Sequence, residues 1–201
     1  MTMYLDEQGN YIPMSNHNGL LSVGVPGTVA GLWMAHQKYG SLSWADLVQP
    51  AIELADQGVP LSFTLAQHAE RFETDAPDEF MKNFYTNGTG IPLKMGEIWK
   101  QPELANTLSI IRDHGHDGFY SGEVAERLAK YMAEHGGIIT EEDLSKYEAV
   151  ERLPVKGTYK GFEIVSMGPP SSGGASIIQM MNMMELVDWD TIEFNSTDYA
   201  H

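Results

Sequence analysis

The densest set of groups that could do chemistry is Gly168-Pro169-Pro170-Ser171-Ser172-Gly173-Gly174. It lies between a strand-like run, Phe162 to Met167, and a helical run, Ala175 to Leu186, rich in Ile and Met. The prolines fix φ and stop the strand, because Pro cannot donate to a ladder. The hydroxyls of Ser171 and Ser172 can bond nearby backbone groups. Gly173 and Gly174 allow a sharp turn with backbone close to something else, and at least one of them is expected at φ > 0. A strand, a tight polar turn and a helix start together can receive an anion or an oxyanion. The competing reading is a packed structural corner without chemistry, and local physics favours it.

Other candidates are weaker. His114-Gly115-His116-Asp117 offers imidazoles and a carboxylate. Gly115 disturbs any helical face, and a pair two apart needs further ligands that the sequence does not place, so a solvated helix end is favoured over a metal. Met180, Met181, Met183 and Met184 form a thioether run that covers a broad helical surface. Core packing suits it better than copper. Gly24-Val25-Pro26-Gly27-Thr28-Val29-Ala30-Gly31 is a second small-residue turn, read as a packing device. Acidic residues are plentiful but scattered, with no pair whose separation can be argued. Neither G-x-S-x-G nor a P-loop is present.

Composition narrows the classes. The chain has 201 residues, 42% of them hydrophobic, which supports a real core and argues against wholesale disorder. Its net charge of −16 repels phosphate backbones, and no Lys/Arg stripe offsets it, so nucleic acid is disfavoured. The sequence contains no cysteine, which excludes disulfides and a Cys nucleophile. No apolar run reaches membrane-spanning length. Met1 to Asp6 does not read as a signal peptide, and Ser196 to His201 reads as a helix just beginning, so a fragment is expected.

These residues must be positioned by mainly helical elements. A strand is expected at Val23–Val25, then a helix from Thr28 to Tyr39 closed by Gly40. Ser43 caps a helix to Gln57 whose inward stripe is Leu47, Ala51 and Leu54, with Pro50 inside it. Ser62 caps a helix to Glu73. Asp75 to Gly90 is loop with an Asn87-Gly88 turn, and a short strand pair is expected within Ile91–Glu97. A helix from Pro102 to His114 carries Leu104, Leu108 and Ile111 on one stripe. Asp117 to Gly122 is a turn. The helix from Glu123 to His135 turns Val124, Leu128 and Tyr131/Met132 inward. Thr140 opens a short helix, and Val155–Tyr159 with Phe162–Ser166 read as two strands around Lys160-Gly161.

Five runs together resemble the γ-glutamyltransferase (γ-glutamyltranspeptidase) family, of the N-terminal nucleophile hydrolases. They are Met3-Tyr4-Leu5-Asp6 with Gly9-Asn10, the Gly24 to Gly31 turn, and Lys38-Tyr39-Gly40 with Gln49-Pro50-Ala51. The others are Gly136-Gly137-Ile138-Ile139-Thr140 with Asp143-Leu144 and Tyr147, and Met167 to Gly174 with Ile177-Ile178-Gln179. Each is weak alone; five in order along the whole chain are specific.

The resemblance implies a proenzyme that cuts itself before a Thr. That Thr, at the start of a small subunit from the same precursor, attacks the γ-glutamyl amide of glutathione or related compounds, with its own α-amine as base. Residues 1–201 would be an internal piece of the large subunit, a single partial domain. Its fold class would be α+β, a mainly helical part of an αββα sandwich. The family's Thr-Thr-His cleavage sequence and its substrate-clamping Arg match nothing in residues 1–201. No catalytic, substrate-binding or metal residue is therefore carried over, and no cofactor is implied. Pro169 to Gly174 becomes a structural corner near the active-site layer. The periplasm or the cell exterior is the implied location. The alternatives are an acylase of the cephalosporin or glutaryl type on the same scaffold, and a non-catalytic module that binds a small molecule or partner through the corner.

Overall fold

The computed structural model describes residues 2–75 and 83–200. They fall into two compact units, Met1–Ala149 and Val150–His201.

The first unit is helical. Its elements are α1 (Thr28–Tyr39), α2 (Trp44–Gln57), β1 (Val59–Pro60), α3 (Phe63–Asp75), β2 (Ile98–Trp99), α4 (Pro102–His114), α5 (Asp117–Tyr120), α6 (Gly122–Glu134) and α7 (Glu141–Ser145). Side-chain caps set several starts. Ser43 Oγ accepts from Asp46 N at 3.1 Å, and Ser62 Oγ accepts from Leu65 N at 3.3 Å. Thr140 and Asp143 close a full capping box at the start of α7. Pro50 lies inside α2, which still runs on to Gln57.

The buried stripes differ from those expected. In α2 the core residues are Ile52 and Ala55, with Val48 beside them, packed on Ala105 and Leu108 of α4. Leu47 and Leu54, expected inside, are 49% and 58% exposed. In α6 the buried positions are Ala125, Ala129 and Met132, whereas Tyr131 is half exposed. Leu104 of α4 is likewise not buried, at 41% exposed. In α6 the stripe centres on alanines, which let helix axes approach closely, and in α2 it lies one position along from the expected one.

One expected strand and one expected strand pair are absent. Residues 23–27 have no regular structure and follow a 3-10 turn, Leu20–Ser22. Residues 91–97 form no strand pair. Gly96 at φ 84 and the Lys94 N donation to Glu97 Oε2 close a turn there, and the pairing moves on to Ile98–Trp99 against Val59–Pro60. Asp117–Tyr120, expected as a turn, is the one-turn helix α5. Asn87 and Gly88 do form a turn, at φ 49 and 77; residues 76–82 of the same expected loop lie outside the described residues.

The second unit is a hairpin with a helix on it. β3 (Val155–Tyr159) and β4 (Phe162–Ser166) pair antiparallel from Val155↔Ser166 to Tyr159↔Phe162. Lys160 and Gly161 join them with φ of 47 and 84, the two positive values that a tight hairpin turn needs. α8 (Gly173–Met184) packs on β3 at Gly157, where a Cβ would lie 2.5 Å from Ile178 Cγ2. A 3-10 turn, Trp189–Thr191, and α9 (Thr197–Ala200) follow. Among its described residues no hydrophobic side chain is fully buried. Met180 and Met183 are 51% and 55% exposed, so within residues 1–201 the methionine run lies at a surface.

Candidate functional site

The corner residues stay together at the junction of β4 and α8. The Pro169–Pro170 peptide is cis. Ser171 N donates to Gly168 O at 3.2 Å, and Arg152 Nη1 reaches Pro169 O at 3.4 Å. α8 begins two residues before the expected Ala175, with Gly173 in its first turn.

Neither Gly173 nor Gly174 has positive φ, contrary to expectation, because both already belong to the right-handed helix. Gly174 is required for another reason. A Cβ there would lie 2.3 Å from Met167 O and 2.9 Å from Ser166 Cβ, so the helix backbone directly touches the chain at the end of β4. Gly173 is unconstrained: its Cβ would meet only Ser171 Oγ, at 3.7 Å.

The serines do not behave as expected either. Ser172, the residue before the helix, has φ −79 and ψ −20, and its side chain caps nothing. An N-cap hydroxyl reaches the N2 or N3 amide from the extended region, not from the helical one. Neither hydroxyl hydrogen-bonds to any described residue. No carboxylate or imidazole of a described residue hydrogen-bonds to either hydroxyl, and a Ser hydroxyl without a base is a weak nucleophile. Along α8 and β3 an open groove of ≈ 470 Å³ is lined by Val155, Ile178, Met183 and Leu186, with Lys156 at its side.

The histidine cluster does not assemble. His116 Nδ1 lies 3.1 Å from Asp117 Oδ1, but no group of three metal-capable side chains occurs among the described residues. Gly115, at φ 60, has its α-carbon against the Trp33 ring, where a Cβ would lie 2.5 Å from Cη2. It is a packing residue.

The Gly24–Gly31 turn is built by residues that the sequence reading passed over. Tyr120, 1% exposed, donates its hydroxyl to Pro26 O at 2.5 Å and accepts from Ala30 N at 3.2 Å. Gly27, which precedes α1, has no side chain to cap it, and Tyr120 supplies the missing acceptor from 90 residues away. Burial pushes its phenol pKa up, which keeps it a neutral donor. Tyr147 stacks on Tyr120 at 5.5 Å, and its hydroxyl lies 2.2 Å from where a Gly27 Cβ would be. The only available signal was Tyr147 in the family-like run with Asp143-Leu144.

The model of the family described as γ-glutamyltranspeptidase matches residues 1–201. A glutathione hydrolase proenzyme from Escherichia coli K12 is 40% identical over 197 residues, covering 98% of this chain and 34% of that protein. Acylase ACY 1 proenzyme from Pseudomonas sp. SE83 is 36% identical over 188 residues, covering 91% of this chain and 33% of that protein. The crystal structure of Helicobacter pylori γ-glutamyltranspeptidase superposes with a TM-score of 0.92 at 39% identity, covering 100% of this chain and 58% of that chain. The chain thus spans about a third of the length of these curated relatives. The mainly helical α+β architecture and the order of the five runs agree with that likeness from end to end, and the chain belongs to the γ-glutamyltranspeptidase family.

Proposed function

We propose that residues 1–201 are one partial domain in the large subunit of a γ-glutamyltransferase, a glutathione hydrolase proenzyme. The whole protein hydrolyses or transfers the γ-glutamyl group of glutathione and related amides. Its nucleophile is the Thr that self-cleavage exposes on the small subunit, outside residues 1–201. The periplasm or the cell exterior is its place of work. The observation that carries this reading is the 40% identity to a glutathione hydrolase proenzyme over 98% of the chain. Within it the Pro169 to Gly174 corner is structural: it joins strand to helix by direct backbone contact and holds no activated nucleophile.

The test is an assay of the full protein with a γ-glutamyl anilide. The expected result is amine release that needs self-cleavage, with none from the polypeptide 1–201 alone. The likeness to acylase ACY 1 supports a second reading, an acylase on the same scaffold. Faster turnover of a glutaryl amide than of its γ-glutamyl counterpart would favour it. The two substrates differ by one α-amino group, so the ratio of rates isolates recognition of that group.

A further inference from the structure

Two Asn-Gly pairs occur in the chain, Asn18-Gly19 and Asn87-Gly88, and the fold treats them in opposite ways. Asn-Gly is the dipeptide most open to cyclisation, because no Cβ hinders the following amide nitrogen. The Asn87 side chain is held at both ends. Its Nδ2 donates to Ile98 O at 2.6 Å and its Oδ1 accepts from Lys100 N at 2.9 Å. Its Cγ is thereby fixed toward residues 98–100, and cyclisation must first open both bonds. The Asn18 side chain is exposed and makes no hydrogen bond to any described residue. Its backbone N–H is bonded to Met14 O at 2.8 Å, which leaves the side chain as the movable part. Gly19, at φ 85, has open space around its α-carbon.

We propose that Asn18 is a site of spontaneous deamidation in the folded protein, and that the Asn87 latch suppresses the same reaction at Asn87. In the step, Gly19 N attacks Asn18 Cγ. A C–N bond forms, Nδ2 leaves as ammonia with the amide proton, and a succinimide closes. Water then opens the ring to aspartate or to the β-linked isoaspartate. The product adds a negative charge to a chain already at −16. The isoaspartate form also lengthens the backbone by one carbon just before the Leu20–Ser22 turn.

The experiment incubates the full protein at mildly alkaline pH, folded and in concentrated urea, and follows the Asn18 and Asn87 peptides by mass spectrometry. In the folded protein Asn18 should convert at least about tenfold faster than Asn87, the factor expected when two ordinary hydrogen bonds must open before attack. Its product should be a mixture of aspartate and isoaspartate. In urea the two rates should converge. Equal rates in the folded protein, a silent Asn18, aspartate without isoaspartate, or a rate gap that persists in urea would each overturn the proposal.

Discussion

The turn at Pro26-Gly27 and the corner at Gly168–Gly174 use the same kinds of residue, Pro, Gly and small side chains, to lead an extended segment into a helix. They solve the problem differently. The first is closed from outside, by a Tyr120 hydroxyl that bonds both Pro26 O and Ala30 N. The second is closed from within, by the contact of helix backbone at Gly174 with the backbone of Met167, the residue that follows β4. In both, Gly is needed for space and not for a positive φ, since Gly27 is at φ −103 and Gly174 is helical. What differs is the blocking atom. At Gly27 it is the tip of a side chain, which can move; at Gly174 it is a carbonyl, which cannot move without separating strand from helix.

The largest effect should therefore come at Gly174. Gly174→Ala is expected to destabilise the protein by about 3 kcal/mol, the upper end of overpacking costs, read as a fall in denaturation midpoint. Gly173→Ala, one residue away, should be neutral or stabilise by about 0.5 kcal/mol, because its Cβ is free and Ala is the better helix former. If the two variants behaved alike, backbone contact would not be what Gly174 provides.

Tyr120→Phe comes next. It keeps the ring stack with Tyr147 and removes only the oxygen, leaving Pro26 O and Ala30 N without that partner. Leaving such buried groups unsatisfied costs about 2 kcal/mol, measurable by chemical denaturation. Gly27→Ala should follow at about 1–2 kcal/mol. Its cost should shrink in a Tyr147→Phe background, because the atom at 2.2 Å is the Tyr147 hydroxyl and the next ring atom lies at 3.0 Å. A double-mutant cycle with no coupling would show that the Gly27 region yields elsewhere.

Local chemistry was legible in the sequence, and long-range chemistry was not. The Ser43, Ser62 and Thr140 caps, the Lys160-Gly161 turn, the hairpin and the helix spans of α1, α2 and α4 match what short-range rules imply. Val48–Ile52–Ala55 was missed because the helical period of α2 reads equally well one position earlier, at Leu47–Ala51–Leu54, and only the packing of α4 decides which face is inside. The Tyr120 cap was missed because acceptor and donor are 90 residues apart. The corner itself was located, but both reasons given for its residues failed: φ > 0 for the glycines and hydroxyl–backbone bonds for the serines. Each depended on where α8 begins, and element boundaries are the least determined feature of a sequence pattern.

Acid should weaken the capped end of α7 before it touches the α8 corner. Bonds from the Thr140 hydroxyl and backbone N–H hold the Asp143 carboxyl pKa below its ordinary value. The folded state thus binds that proton less readily than the unfolded one. Its contribution is complete above the unfolded pKa and is lost as pH falls through the depressed folded value. Asp143→Asn should lower the thermal midpoint at neutral pH, and its difference from the parent should close under acid. A constant difference across that range would dissociate the cap from ionisation.

The smallest effects are expected at the residues that drew attention first. Ser43 and Thr140 leave their helices from extended backbone, at ψ 146 and 168, and each hydroxyl accepts a first-turn amide. Replacing either by Ala removes a working cap and should cost about 1 kcal/mol. Ser172 precedes α8 at ψ −20, a conformation that turns its hydroxyl away from those amides, and Ser171 makes no side-chain bond to a described residue. Ser171→Ala and Ser172→Ala should each change stability by less than about 0.5 kcal/mol, since no hydrogen bond is lost. Self-cleavage and turnover of a γ-glutamyl anilide by the full protein should stay at parental rates. If Ser171→Ala left stability and self-cleavage intact but abolished turnover, the hydroxyl would belong to the chemistry. The contrast between a side-chain-capped turn and a backbone-packed corner would then fail at the corner.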